Sequence, residues 1–143
     1  MQFNHVGITV SNLEQSMAFY GDLLGMEPMS PPLLLTGEEV EDVTALKGFK
    51  ARVCMMAKGN LALELFEFEV PAPKRQDPDY PVNNHGITHF GITVEDIDAT
   101  YGKLKAEGVR FHSPVRQFPG GIRAAYGRDP DGNVFELLQM PQR

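Results

Sequence analysis

The sequence predicts an α+β fold assembled from a duplicated unit, and three observations carry that reading. His5-Val6-Gly7-Ile8-Thr9-Val10 returns as His89-Phe90-Gly91-Ile92-Thr93-Val94. Each copy is followed by apolar residues at helical spacing and then by strand-like segments. Each half later reaches a Glu set between apolar residues, Leu63-Glu64-Leu65 and Phe135-Glu136-Leu137.

In chain order, residues 3–10 read as a strand. Ser11-Asn12-Leu13-Glu14 has the form of a capping box, a hydroxyl followed three positions later by an acid. Leu13, Met17, Tyr20 and Leu24 mark one helix face, and Gly25 suits a left-handed stop. Residues 29–44, with Pro31, Pro32 and Gly37, read as a loop or lid. Segments 51–57 and 60–68 read as strands around the turn Lys58-Gly59-Asn60. In the second half, 87–94 is a strand. Glu95, Asp96 and Asp98 load the start of a helix whose apolar face is Ile97, Tyr101 and Leu104, and Gly108 ends it. Strands are expected at 109–112, 122–128 and 133–140, the last two joined by the turn Asp129-Pro130-Asp131-Gly132-Asn133. That turn contains Asp-x-Asp-Gly but lacks the rest of a calcium-binding loop.

The chain has 143 residues, which fits a single domain made of two modules, about 1–70 and 86–143. A Pro-rich linker over about 71–85 joins them. A module of roughly 60–70 residues buries too little surface to be more than marginal alone, so the halves are expected to pack together. The net charge is −6 and there is no basic run, which disfavours nucleic acid and anionic membrane as partners. No apolar run approaches the roughly 20 residues that span a bilayer, and the N-terminus lacks a signal-peptide pattern. Cys54 is the only cysteine, so no internal disulfide can form. A reducing, cytoplasmic location is expected, with Cys54 as a buried, inert thiol.

Strand alternation then singles out four side chains. His5, Gly7 and Thr9 oppose the stripe Val6, Ile8 and Val10; His89, Gly91 and Thr93 oppose Phe90, Ile92 and Val94. Glu64 opposes Leu63 and Leu65, and Glu136 opposes Phe135 and Leu137. The apolar stripes should pack under the helices, and the two His and two Glu should project from the other face. A carboxylate flanked by apolar residues is costly to bury unpaired. Two imidazoles and two carboxylates suit one borderline divalent ion: Zn²⁺, Ni²⁺, Co²⁺, Mn²⁺ or Fe²⁺. A six-coordinate ion would keep two positions for water or substrate, as catalytic sites do. His85 reads as a loop residue near the site and His112 as a structural or solvated one. Arg52, Arg116 and Arg123 are candidates to meet an anionic substrate, with solvated surface as the equal alternative.

The chain resembles the vicinal oxygen chelate superfamily, the glyoxalase / bleomycin resistance / extradiol dioxygenase group. The resemblance rests on the two His-x-Gly-Ile-Thr-Val segments, Phe19-Tyr20 with Leu24-Gly25, and the ending Asp129-Pro130-Asp131-Gly132-Asn133-Val134-Phe135-Glu136-Leu137. It implies tandem βαβββ modules whose mixed sheets curve into a cup around a metal. It implies His5, Glu64, His89 and Glu136 as the metal ligands and a homodimer, with the cup closing within a chain in some members and across a dimer in others. The ligand set is most similar to glyoxalase I-like lyases and epimerases. Their chemistry removes a proton next to a metal-polarised carbonyl, with Glu64 or Glu136 as the catalytic base. Bacterial glyoxalase I usually carries an Arg four residues after its first ligand, where this chain has Thr9. That argues against glutathione and for a small carbonyl compound or thioester as substrate. The resemblance leaves two other readings: an Fe²⁺ extradiol dioxygenase, against which Glu64 as a ligand counts, and a non-enzymatic drug-binding protein.

Overall fold

The computed structural model describes residues 1–141; the last two residues of the expected second module, 142 and 143, lie outside the described residues. The chain divides into two compact units, Met1–Arg75 and Gln76–Arg143. Each carries its own five-stranded mixed sheet, and each follows the βαβββ order.

The first unit runs β1 (Val6–Thr9), α1 (Leu13–Ala18), β2 (Glu27–Pro28), β3 (Leu33–Thr36), α2 (Glu38–Thr44), β4 (Lys50–Lys58) and β5 (Leu61–Val70). β1 lies parallel to β5, and β4 lies antiparallel to β5. The outer side of β4 is paired first with β2 and then with β3, so the second strand of the unit is one edge strand broken in two. The second unit repeats this with β6 (Phe90–Thr93), α3 (Ile97–Ala106), β7 (Arg110–Phe111), β8 (Arg116–Gln117), β9 (Arg123–Arg128) and β10 (Val134–Gln139). There β6 is parallel to β10, β9 is antiparallel to it, and β7 and β8 form the broken edge.

Alternation sorts the side chains as expected. Leu63 and Leu65, in register with Val6 and Ile8, are fully buried, and so are Phe135 and Leu137. Each such side chain contributes roughly 1.5–3 kcal/mol by leaving water. Leu13 and Tyr20 of the first helical segment and Ile97 and Leu104 of α3 are fully buried as well. α1 runs on into a wider, π-type turn over Phe19–Leu23. Gly25, at φ +72°, then reverses the chain; Gly108, at φ +85°, does the same after α3.

The helix starts differ from the capping box expected at Ser11. Asn12 is the cap: its backbone is extended and its side-chain oxygen accepts from the Gln15 N–H at 2.8 Å. Asp96 caps α3 in the same way through the Ala99 N–H at 2.9 Å. Glu14, expected to reach back to the cap, instead pairs with Arg52. A second contact strengthens both starts. The first helical amide, Leu13 N–H, donates to Glu67 at 2.7 Å, and Ile97 N–H donates to Gln139 at 2.9 Å. Glu67 and Gln139 therefore lie on the helix side of their sheets. Arg52 lies between Glu14 and Glu67, and Arg123 holds Asp98 in a two-pronged pair at 2.8 Å. The Arg52 guanidinium holds the Glu14 carboxyl below the usual carboxylate range, and Arg123 does the same to Asp98.

The 29–44 segment is not the loop or lid that its prolines and glycine suggest. It contains β3 and the whole of α2. Val40 and Leu46 pack with Leu35 over Phe49, Ala51 and Val53, and with Phe66 and Phe68. Val53 pairs with Phe66, and Met55 with Glu64, so this second cluster lies on the same sheet face as Glu64. In the second unit the equivalent connection is a tight turn over residues 118–122, closed by the Phe118 N–H donating to the Ile122 carbonyl at 2.8 Å.

Part of the expected linker belongs to the second unit. Arg128 donates to the Tyr80 carbonyl at 2.6 Å and to the Gly132 carbonyl at 2.9 Å, and its guanidinium lies over the Tyr80 ring. Arg110 pairs with Asp79. Gly132 sits at φ +90°, and a Cβ there would come within 2.6 Å of the Pro78 backbone. Asp129-to-Asn133 forms the expected turn, with Asp129 accepting from the Asp131 and Asn133 amides. Among the described residues, no helix is long and apolar enough to cross a membrane.

Candidate functional site

Each unit brings together one His and one Glu, by the same construction. His5 immediately precedes β1, and Glu64 stands on β5 opposite Gly7, two residues along the same face. His89 immediately precedes β6, and Glu136 stands on β10 opposite Gly91. The distance from Nε2 to Oε2 is 3.1 Å in both pairs. Gly91 keeps the strand open beside the Glu136 carboxylate. A Cβ on Gly91 would lie 3.7 Å from a Glu136 oxygen and 3.2 Å from Leu138. All four side chains are partly exposed, Glu136 the least at 17%.

The other imidazole nitrogen is also engaged in both pairs. His5 Nδ1 lies 2.6 Å from Asn4 Oδ1, and His89 Nδ1 lies 2.9 Å from Thr88 Oγ1. An Nδ1–H donating to these oxygens leaves Nε2 as a lone-pair donor facing a carboxylate oxygen. Two such donors at 3.1 Å need a proton or a cation between them, and a partner on the far nitrogen is how metal-bound imidazoles are oriented. The residues present therefore fit a divalent ion in chemistry and in access. Neither unit, among the described residues, adds a third His, Cys, Asp or Glu to its pair. Asn4 and Thr88 escaped the sequence reading, although both occupy the position just before the repeated His.

Of the three arginines that are candidates to meet an anionic substrate or to be solvated surface, two are paired with acids of their own unit. Arg52 and Arg123 are taken up on the helix side of their sheets by Glu14, Glu67 and Asp98. Arg116, by contrast, is paired with Ala124, which is paired with Leu138, so it shares the face that carries Glu136.

Tyr126 is a further residue of this face that the sequence reading passed over. It stands on β9 directly opposite Glu136. Its ring packs on His89 at a centroid distance of 4.6 Å, and its hydroxyl lies 3.5 Å from His89 Nε2. Burial, and then the charge of Glu136, pushes the Tyr126 hydroxyl pKa up and keeps it a donor. His112 follows next in the same row: its N–H donates to the Tyr126 carbonyl at 2.9 Å and its ring lies 5.9 Å from the Tyr126 ring. Burial, with the charges of Arg128 and Arg110, lowers the His112 pKa. Counting back across the Asp129–Asn133 turn was the available signal, since that turn fixes Tyr126 opposite Glu136. Cys54 is buried on the helix side, and burial pushes its thiol pKa up, in line with an inert role. His85 is an exposed residue of the segment that leads into β6.

Comparison with known proteins places this architecture. The chain is 32% identical to a 2-epi-5-epi-valiolone epimerase from Actinomyces over 96% of its length and 79% of that protein. It is 30% identical to a probable lactoylglutathione lyase from Vibrio cholerae over 96% of its length and 90% of that protein. The crystal structure of a glyoxalase family protein from Bacillus cereus superposes with a TM-score of 0.88 at 26% identity, covering 97% of this chain and 93% of that one. The model of the Glyoxalase/Bleomycin resistance protein/Dioxygenase superfamily matches residues 2–137, and the chain belongs to that superfamily.

Proposed function

We propose that His5, Glu64, His89 and Glu136 together hold one divalent cation, and that the protein is a metal-dependent lyase or isomerase acting on a small carbonyl compound or thioester. The observation that carries this reading is the twofold His–Glu construction, each imidazole Nε2 facing a carboxylate oxygen at 3.1 Å. Two relatives named as an epimerase and a lyase support it. When bound, the cation would supply a Lewis acid that polarises the carbonyl and makes the neighbouring C–H more acidic. The chain's own residues then handle the proton. Glu64 or Glu136 accepts it at a carboxylate oxygen; in an isomerisation the same carboxyl returns it to the neighbouring carbon, and in an epimerisation the other Glu delivers a proton to the opposite face of the same carbon. Asn4 and Thr88 orient the imidazoles.

Reconstitution with Zn²⁺, Ni²⁺, Co²⁺, Mn²⁺ and Fe²⁺ in turn, followed by elemental analysis, tests the metal. One equivalent per assembled site is expected. Glu64→Gln and Glu136→Gln should each weaken binding by more than about 100-fold, since loss of a mere supporting partner already costs about 10–100-fold. Less than one-tenth equivalent of every ion would remove the reading. Exchange of a substrate α-proton with D₂O, tried on hemithioacetals and 2-methyl-branched acyl thioesters, then tests the reaction class. Sedimentation with and without metal tells whether one chain or a homodimer completes the donor set.

A further inference from the structure

The ligand-bearing faces of the two units have the same strand positions but opposite chemistry. In the first unit, the row running outward from Glu64 is Met55 on β4 and then Met29, whose N–H donates to the Met55 carbonyl at 2.8 Å. In the second unit, the row running outward from Glu136 is Tyr126 and then His112, joined by the equivalent backbone bond. One step along, Leu33 pairs with Val53 in the first unit, and Arg116 pairs with Ala124 in the second. Three apolar side chains thus correspond to a phenol, an imidazole and a guanidinium. Arg116 is diagonal to Tyr126 on the neighbouring strand, a separation that long side chains span.

We propose that the Glu136 face of the second unit reads a negatively charged ligand, with Tyr126 donating a hydrogen bond to an oxygen at the reacting end and Arg116 pairing with a carboxylate carried further out. The substrate class this implies is a carbonyl compound that bears its own carboxylate. Tyr126 is suited to the first role because its ring is fixed against His89 while its hydroxyl lies at the pair of candidate ligands. Arg116 is suited to the second because, unlike Arg52 and Arg123, it is on the ligand face and is exposed. An Arg there offers a planar fork that matches a carboxylate. The assignment rests on the metal reading above.

The test uses the Co²⁺-loaded protein and two probes: acetohydroxamate, with two neighbouring oxygens, and malonohydroxamate, which adds a carboxylate. Co²⁺ binding is measured first, by calorimetry and by the visible absorption of the ion, and probe binding second. Tyr126→Phe should weaken both probes about tenfold, as loss of a hydrogen bond to a charged group does. Arg116→Gln should weaken malonohydroxamate about tenfold and leave acetohydroxamate unchanged. Neither should alter Co²⁺ affinity, and Tyr101→Phe, which removes a phenol on α3, should alter nothing. If Tyr126→Phe weakens Co²⁺ and probes in parallel, Tyr126 only props His89 and the assignment is overturned. Equal affinity of wild type for both probes, or unchanged probe binding in both variants, also overturns it. A wild-type protein that takes up no Co²⁺ instead defeats the metal reading, and the first titration alone reveals that.

Discussion

The two units agree in their frame and differ in what the frame presents. Both start the helix with an Asx cap, bind its first amide to a side chain from the last strand, and place an Arg against an acid in the first turn. Both bring a His from the strand entrance to a Glu two residues along the neighbouring strand. The agreement is in polar contacts that fix register and helix position. The difference lies in the side chains beside each pair: Met29, Met55 and Leu33 in one unit, His112, Tyr126 and Arg116 in the other. A βαβββ frame can therefore keep two donor pairs in place while its two faces take on separate tasks.

The cores show the same division at a finer scale. Met56 pairs with Leu63 in the first unit, and at the equivalent place Gly127 pairs with Phe135. The Phe135 ring lies over Gly127, and a Cβ there would come within 2.9 Å of three of its ring atoms. Large-beside-large has become small-beside-larger at one position. Gly127→Ala should therefore cost about 1–3 kcal/mol by overpacking, measured by urea unfolding. Phe135→Leu in the same chain should recover part of that loss, because it removes the ring that the new methyl meets. If the two substitutions are simply additive in a double-mutant cycle, the compensation is wrong.

A smaller effect sharpens the likeness of the helix starts. Glu67→Ala removes an acceptor that serves both the Leu13 amide and Arg52, whereas Gln139→Ala removes an amide oxygen that serves the Ile97 amide. Each should lower stability by about 0.5–2 kcal/mol, with Glu67 at the upper end because its bonds are charge-assisted. Equal losses, unaffected by salt, would mean that Glu67 acts without its charge.

The smallest expected effect concerns pH. The folded chain holds Glu14 and Asp98 below their ordinary pKa through Arg52 and Arg123. A carboxylate lowered in this way stabilises the fold above its unfolded pKa. That contribution is lost as pH falls through the lower, folded one. Both acids are exposed, so screening keeps the effect slight. Arg52→Gln and Arg123→Gln should each flatten the loss of stability on acidification by a similar, small amount, in thermal melts from neutral pH downward. A steeper acid loss in either variant would contradict the pairing.

Much of this was legible in the sequence because it depends on period. Alternation put Val6, Ile8, Leu63 and Leu65 on one face and His5, Gly7 and Glu64 on the other, and the repeat doubled the inference. Three features were not. α2 is a short acidic helix with no buried residue, and only Val40 of it joins the second cluster, so it lacks an amphipathic pattern to read. The cap fell on Asn12 rather than Ser11 because backbone entry angle, not residue type alone, decides which side chain reaches the first turn. The roles of Arg52 and Arg123 follow from side-chain contacts across 15 to 38 positions, which local spacing does not encode.

The fastening of Pro78, Asp79 and Tyr80 to the β9–β10 turn has a practical corollary. Residues 71–76 are all exposed, while the chain just beyond them is clasped by Arg110 and Arg128 and leaves no room for a side chain at position 132. An epitope tag or engineered cleavage sequence spliced in at Pro73–Lys74 would leave each half's hydrogen-bond ladder whole. The same splice at Asp79 would prise the clasp open and take the Tyr80 carbonyl away from the Arg128 guanidinium.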